Sequence, residues 1–148
     1  MDWIKELGKN KKLKNTLTTF LEQYGLSELE QALYLYSELR QEYICKTRTS
    51  ISKIRMSDIY YLEIQGHNIT VFTQQEAYRK YGTLSQELKL LSAHGFVKCS
   101  QNCIVSLRRI RKISNRTITL ANNVQLHMSQ HYAPKVMMAY SFYNAYLV

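Results

Sequence analysis

Phe96-Val97-Lys98-Cys99-Ser100-Gln101-Asn102-Cys103-Ile104-Val105-Ser106-Leu107-Arg108-Arg109-Ile110 is the stretch on which the fold turns. Its apolar runs, 96–99 and 103–106, are too short for helices and flank a polar loop, Ser100-Gln101-Asn102. Both features fit a β-hairpin. Working outward, the alternating pattern predicts further strands over 43–48, 58–64, 68–73, 109–113, 116–120 and 124–128, with Ile118, Thr119, Val124 and Leu126 as strong β-formers. Asn122-Asn123 suits a two-residue hairpin turn, because asparagine tolerates positive φ. One helix interrupts the strands. Thr83 with Gln86 caps it, Leu84, Leu88 and Leu91 form its buried stripe, and Gly95 stops it. A last helix is predicted from Pro134 through Val136, Met137, Tyr140 and Tyr143.

Upstream of residue 45 the period is helical. Leu13, Leu17, Phe20, Leu21 and Tyr24 share one helix face, which Gly25 ends. Ser27 and Glu30 form a capping box for a second helix, whose Leu29, Ala32, Tyr36, Leu39 and Tyr43 fall at heptad spacing. The fold expected is therefore mainly β (α+β): a helical hairpin over 1–45, then an antiparallel β domain over 46–148 with one inserted helix and a short C-terminal helix.

A chain of 148 residues and 17.5 kDa has room for one main core. With 45% hydrophobic and 21% charged residues, one Pro and five Gly, it is neither disordered nor of low complexity. No apolar run reaches 18 residues, and the first six residues lack the order of a signal peptide, so a cytoplasmic protein without membrane contact is expected. Cys45, Cys99 and Cys103 are odd in number and contain no CxxC pair, which points to buried reduced thiols. His67, His94, His127 and His131 show no metal-ligand spacing, and no Gly-rich phosphate loop follows a strand. The four acids after residue 45, Asp58, Glu63, Glu76 and Glu87, read as surface. Neither a metal, a small-molecule cofactor nor an enzyme is expected.

Charge is distributed unevenly. Residues 1–45 carry six basic and seven acidic side chains, whereas 46–148 carry fourteen basic and four acidic, a balance of +10. No acid follows Glu87. Such a surface repels itself unless a polyanion is its partner, which favours nucleic acid. A helix-turn-helix at Tyr24-Gly25-Leu26-Ser27 is disfavoured: Leu21 and Gln31 stand where a small and an apolar residue are wanted, and Glu28, Glu30, Glu38 and Glu42 would face phosphates.

The run Met56-Ser57-Asp58-Ile59-Tyr60-Tyr61-Leu62-Glu63-Ile64, then Gly66-His67, then the 96–110 stretch, then Met128-Ser129-Gln130-His131-Tyr132 resembles the LytTR family of bacterial DNA-binding domains. The family writes these motifs as "DI.YIE…H", "F.R.H.SYIVN…I" and "S.RY", and about residues 43–140 are covered. The resemblance implies an elongated stack of small antiparallel sheets whose loops enter successive major grooves. It implies base-reading roles for His67, Gln101 and His131, with Asn68, Lys98, Ser100, Asn102, Ser129 and Gln130 on the DNA backbone. The residue types are able to do this. Glutamine pairs bidentately with adenine N6 and N7, and histidine donates to guanine N7 or O6. The chain departs from the pattern at Ser100-Gln101, usually His-Arg or His-Asn, at Cys103 for Tyr/Phe, at Ser106 for Asn and at His131 for Arg.

These features together read as a bacterial transcription regulator that binds double-stranded DNA at promoter repeats. The N-terminal hairpin is expected in place of a receiver domain, its apolar stripe covered either by packing on the β domain within one chain or, the favoured reading, by dimerisation through Leu29, Tyr36, Leu39 and Tyr43. The alternative is a protein-interaction module that keeps the LytTR-like fold but has lost specific DNA readout; RNA binding ranks third.

Overall fold

Asn10 and Gly25 set the breaks in the N-terminal helices. The computed structural model, which describes residues 2–147, places α1 over Asp2–Lys9, α2 over Lys11–Tyr24 and α3 over Leu26–Leu39. The Asn10 side chain accepts the Leu13 N–H at 2.9 Å and caps α2. Gly25 sits at φ +88, where a side chain would be strained, and its carbonyl accepts the Leu29 N–H. One residue thus ends α2 and starts α3, so Ser27 lies inside the first turn of α3 rather than ahead of it.

Two corrections follow for the N-terminal reading. A further helix, α1, precedes the two expected around Gly25, and the compact units are Met1–Leu39 and Arg40–Val148, so the helical unit stops six residues before the expected boundary. Tyr43 is not on a helix seam. It lies fully buried in β1 (Glu42–Lys46), which pairs antiparallel with β2 (Ile51–Arg55) through Tyr43↔Ile54. Strand pairing and burial of a β-favouring tyrosine override its seven-residue spacing from Tyr36.

The β unit is centred on a five-stranded antiparallel sheet in the order β5-β4-β3-β7-β6, where β3 is Ile59–Gln65, β4 Asn68–Thr73, β5 Ala77–Tyr81, β6 Phe96–Ser100 and β7 Cys103–Ser106. Successive side chains alternate between its two faces. Leu62, Ile69, Val71, Phe96 and Ile104 pack with Tyr43, Cys45 and Ile54 of the β1–β2 hairpin and with Leu84 and Leu91 of α4 (Leu84–Leu91). Tyr61, Val97, Cys99, Cys103 and Val105 join the second cluster, with Ile118 and Leu120 of β9 (Thr117–Leu120), Leu126 of β10 (Gln125–His127) and Val136 of α5 (Ala133–Leu147). A three-stranded sheet in the order β10-β9-β8, with β8 at Ile110–Ser114, therefore supplies that second face. Each fully buried aliphatic side chain contributes about 1.5–3 kcal/mol.

The Thr83 cap of α4, accepting from the Gln86 N–H, is as expected, and all three cysteines are free and buried. The β9–β10 turn holds three residues, Ala121 to Asn123, because Leu120 N–H bonds Val124 C=O and Asn123 takes φ +70. Glu87 was expected at the surface but is buried. Its carboxylate accepts the Tyr43 hydroxyl at 3.0 Å and pairs with Lys80, whose ammonium lies 4.5 Å from the Tyr43 ring centroid. Glu87 becomes a bond between β1, β5 and α4 because its partners neutralise it. Among the described residues no helix is long and apolar enough to cross a membrane.

Candidate nucleic-acid interface

Antiparallel register brings the three turns of the sequence motifs together. His67 follows Gly66 in the turn between β3 and β4, which closes at Gln65↔Asn68; Gly66 takes φ +61. Gln101 and Asn102 form the turn between β6 and β7, which closes at Ser100↔Cys103. The two turns lie at the same end of the sheet, since β3 pairs with β7 through Glu63↔Cys103 and Ile64 N–H donates to Asn102 C=O at 3.0 Å. The third turn, Ser129 to Tyr132, is fixed there by Ser129 N–H donating to Cys99 C=O at 3.1 Å, one residue before the β6–β7 turn. His67, Gln101, Asn102, Gln130 and His131 are all exposed, as is Asn68 at the start of β4. Lys98 and Ser100 are half-buried. The Lys98 ammonium lies 5.3 Å from the Tyr132 ring centroid, and the His131 ring meets Tyr132 edge-on at 4.9 Å.

Two residues change standing in this geometry. The Ser129 hydroxyl is buried without a hydrogen-bond partner, so Ser129 holds its turn to β6 through its backbone rather than presenting a donor outward. Arg116 gains a place. It belongs not to the strand expected from 116 but to the two-residue turn Asn115-Arg116, with φ +51 and +61, between β8 and β9. Both φ values being positive marks a type I′ turn. Arg116 is exposed, and its carbonyl accepts the Met128 N–H at 2.8 Å, beside Ser129. The signal in the sequence was Asn115-Arg116 standing between two alternating runs.

Not every cation is available to a polyanion. Lys80 is committed to Glu87. Arg109 donates to Ser57 C=O and lies 4.8 Å from the Tyr60 ring centroid, and Arg108 donates to the Tyr143 hydroxyl at 3.2 Å. Among the cations that remain exposed are Arg79, Arg111, Lys112, Arg116 and Lys135. Glu63, exposed on β3, is the carboxylate nearest the turns in sequence.

Other chemistry is sparse. An open cleft of about 430 Å³ lies at the other end of the sheet, where Ile59 pairs with Thr73; Lys53, Arg55, Asp58, Glu76 and Arg109 line it with mixed charge. Cys99 and Cys103 sit at the feet of the β6–β7 turn. The thiol hydrogen bond between them, with burial, pushes Cys103 well above the usual thiol range and draws Cys99 below it, but both thiols are buried away from any reactant. Neither is a poised nucleophile. Among the described residues no three His, Cys, Asp or Glu side chains gather as a metal site.

Comparison with known proteins bears on these turns. The family model described as "LytTr DNA-binding domain" matches residues 49–141. Among solved structures, the LytTr DNA-binding domain of a response regulator from Bacillus cereus superposes with a TM-score of 0.59 at 21% identity, covering 68% of this chain and 96% of the other. That likeness is one of fold. No curated protein sequence matches significantly.

Proposed function

The chain belongs to the LytTr DNA-binding domain family, and from that premise we propose that it is a sequence-specific transcription regulator whose three turns enter the major groove at promoter repeats. His67, Gln101 and His131 read bases. Asn68, Lys98, Ser100, Asn102 and Gln130 contact phosphate or sugar, and Arg116 joins them. Base contacts specify and phosphate contacts position the protein. The observation that carries this reading is the meeting of three exposed polar turns at one sheet end, in a unit with a balance of +10. In the same reading the protein is bacterial and cytoplasmic, catalyses no reaction, takes no small-molecule cofactor, and works as a homodimer through its N-terminal helices.

The departures from the family pattern act on preference. Gln101 offers a bidentate adenine contact where relatives of the motif carry Arg or Asn, and His131 replaces a longer cation. The non-specific phosphate term persists because it depends on the basic surface. The test is chemical protection of guanine N7, which faces the major groove. Protection in successive major grooves is expected. Binding that leaves every N7 open would refute the groove assignment, and no binding to duplex DNA at low salt would favour the interaction-module reading.

A further inference from the structure

None of the residues in α1, α2 or α3 is buried. Ile4, Leu13, Leu26, Leu33, Tyr34 and Leu35 are large, apolar and exposed, Leu26 to 73% and Tyr34 to 71%. A helix that is apolar on most sides is normally covered, and α3 is not covered within its own unit.

Charge indicates what covers it. Residues 2–14 carry five lysines against Asp2 and Glu6, whereas residues 15–39 carry Glu22, Glu28, Glu30 and Glu38 with no cation. Lys11, Lys12 and Lys14 crowd the first turn of α2, which has no acid. That is the end of the helix where the backbone dipole already favours an anion. The unit is therefore basic in its first half and acidic in its second. In an isologous interface residue i of one copy meets j of the other and j meets i, so a two-fold axis that sets the basic half against the acidic half satisfies both contacts at once. The +10 charge of residues 46–148 would attract only the acidic half, so it offers no complement to the lysines of residues 2–14.

We propose that a second copy of this chain covers the helical unit, with the lysine-bearing start of α2 in one copy against Glu30 of α3 in the other, around a seam that includes Leu26 and Leu33, which lie at i−4 and i+3 from Glu30 on the same helix face. This deepens the homodimer reading by naming the face and its charge register. It rests on that reading, but pairing is measured without DNA, so its failure is separable from failure of the DNA assignment.

The experiment uses three full-length proteins: wild type, Lys11→Glu/Lys12→Glu/Lys14→Glu, and Glu30→Lys. All changes are on exposed positions, and circular dichroism verifies that the helices persist. Sedimentation at micromolar concentration should show a wild-type dimer. Each variant should associate at least about tenfold more weakly, and an equimolar mixture should return to within about threefold of wild type. Restoration on mixing requires a second copy as the partner. The proposal is overturned by a wild type that stays monomeric, by variants that pair as well as wild type, or by a mixture that does not recover. A monomer whose helices resist protease would place the cover within the chain, and an unprotected one would call for a different protein. Variants that still pair but lose DNA affinity would assign the lysines to phosphate.

Discussion

Truncating Gln101 tests the division of labour between base and phosphate. The residue is exposed at the tip of the β6–β7 turn and makes no internal hydrogen bond among the described residues, while the turn is held through Asn102 C=O and the Ser100 hydroxyl. Gln101→Ala should therefore leave stability within about 0.5 kcal/mol of wild type, as for an ordinary surface change. A lost bidentate adenine contact is worth about 1–3 kcal/mol, or about 5- to 150-fold in affinity, on the preferred site only. Lys98→Ala removes a charge beside Tyr132 instead. It should weaken all sequences alike and lower the salt slope by about 0.9, with at most about 1 kcal/mol of stability from the cation–π contact. Fluorescence anisotropy on the preferred duplex and a scrambled one, at several salt concentrations, separates the two patterns. Equal losses on both duplexes for Gln101→Ala would refute its base-reading role.

Three further outcomes are expected. For wild type, log K against log[salt] should fall by about 0.9 per phosphate neutralised, and a flat dependence would remove the phosphate term from the account. A His67→Gln/His131→Gln variant should lose more affinity for the preferred duplex than for a scrambled one, and equal losses on both would place base reading elsewhere. Burial pushes the Cys45 thiol from 9.0 up to about 11, against a smaller opposing pull from Lys80. The folded chain thus holds that proton more tightly than the unfolded one, and its contribution, complete below pH 9, is lost towards pH 11. Urea unfolding should show that decline, made shallower by Cys45→Ala; an equal decline in the variant would exclude Cys45 as its source.

β3, β4 and β6 to β10 were legible and stand within a few residues of their expected places, β4 and β8 to β10 because period-2 alternation records a single buried face, and β3, β6 and β7 because burial on both faces leaves short apolar runs. Two strands were not. β5, Ala77-Tyr78-Arg79-Lys80-Tyr81, is an edge strand with no buried residue, and β2 buries only Ile54. Neither displays a core pattern to read. Tyr43 misled because its spacing from Tyr36 is helical while its burial comes from β2, Glu87 and Lys80, which local sequence does not show. Glu87 read as surface for the same reason. At the candidate interface the three turns were each legible from their motifs. Their assembly was not, since it rests on Ile64 bonding Asn102 and Ser129 bonding Cys99 across long stretches of chain.

Selection of bound duplexes from a random pool, followed by competition at a stated salt concentration, tests the central claim most directly. The expected result is a recurrent sequence that the full-length protein binds at least about 10³-fold more tightly than random duplex, with positions that relax in Gln101→Ala. A pool that yields no common sequence, or affinities equal for selected and random DNA, would contradict it.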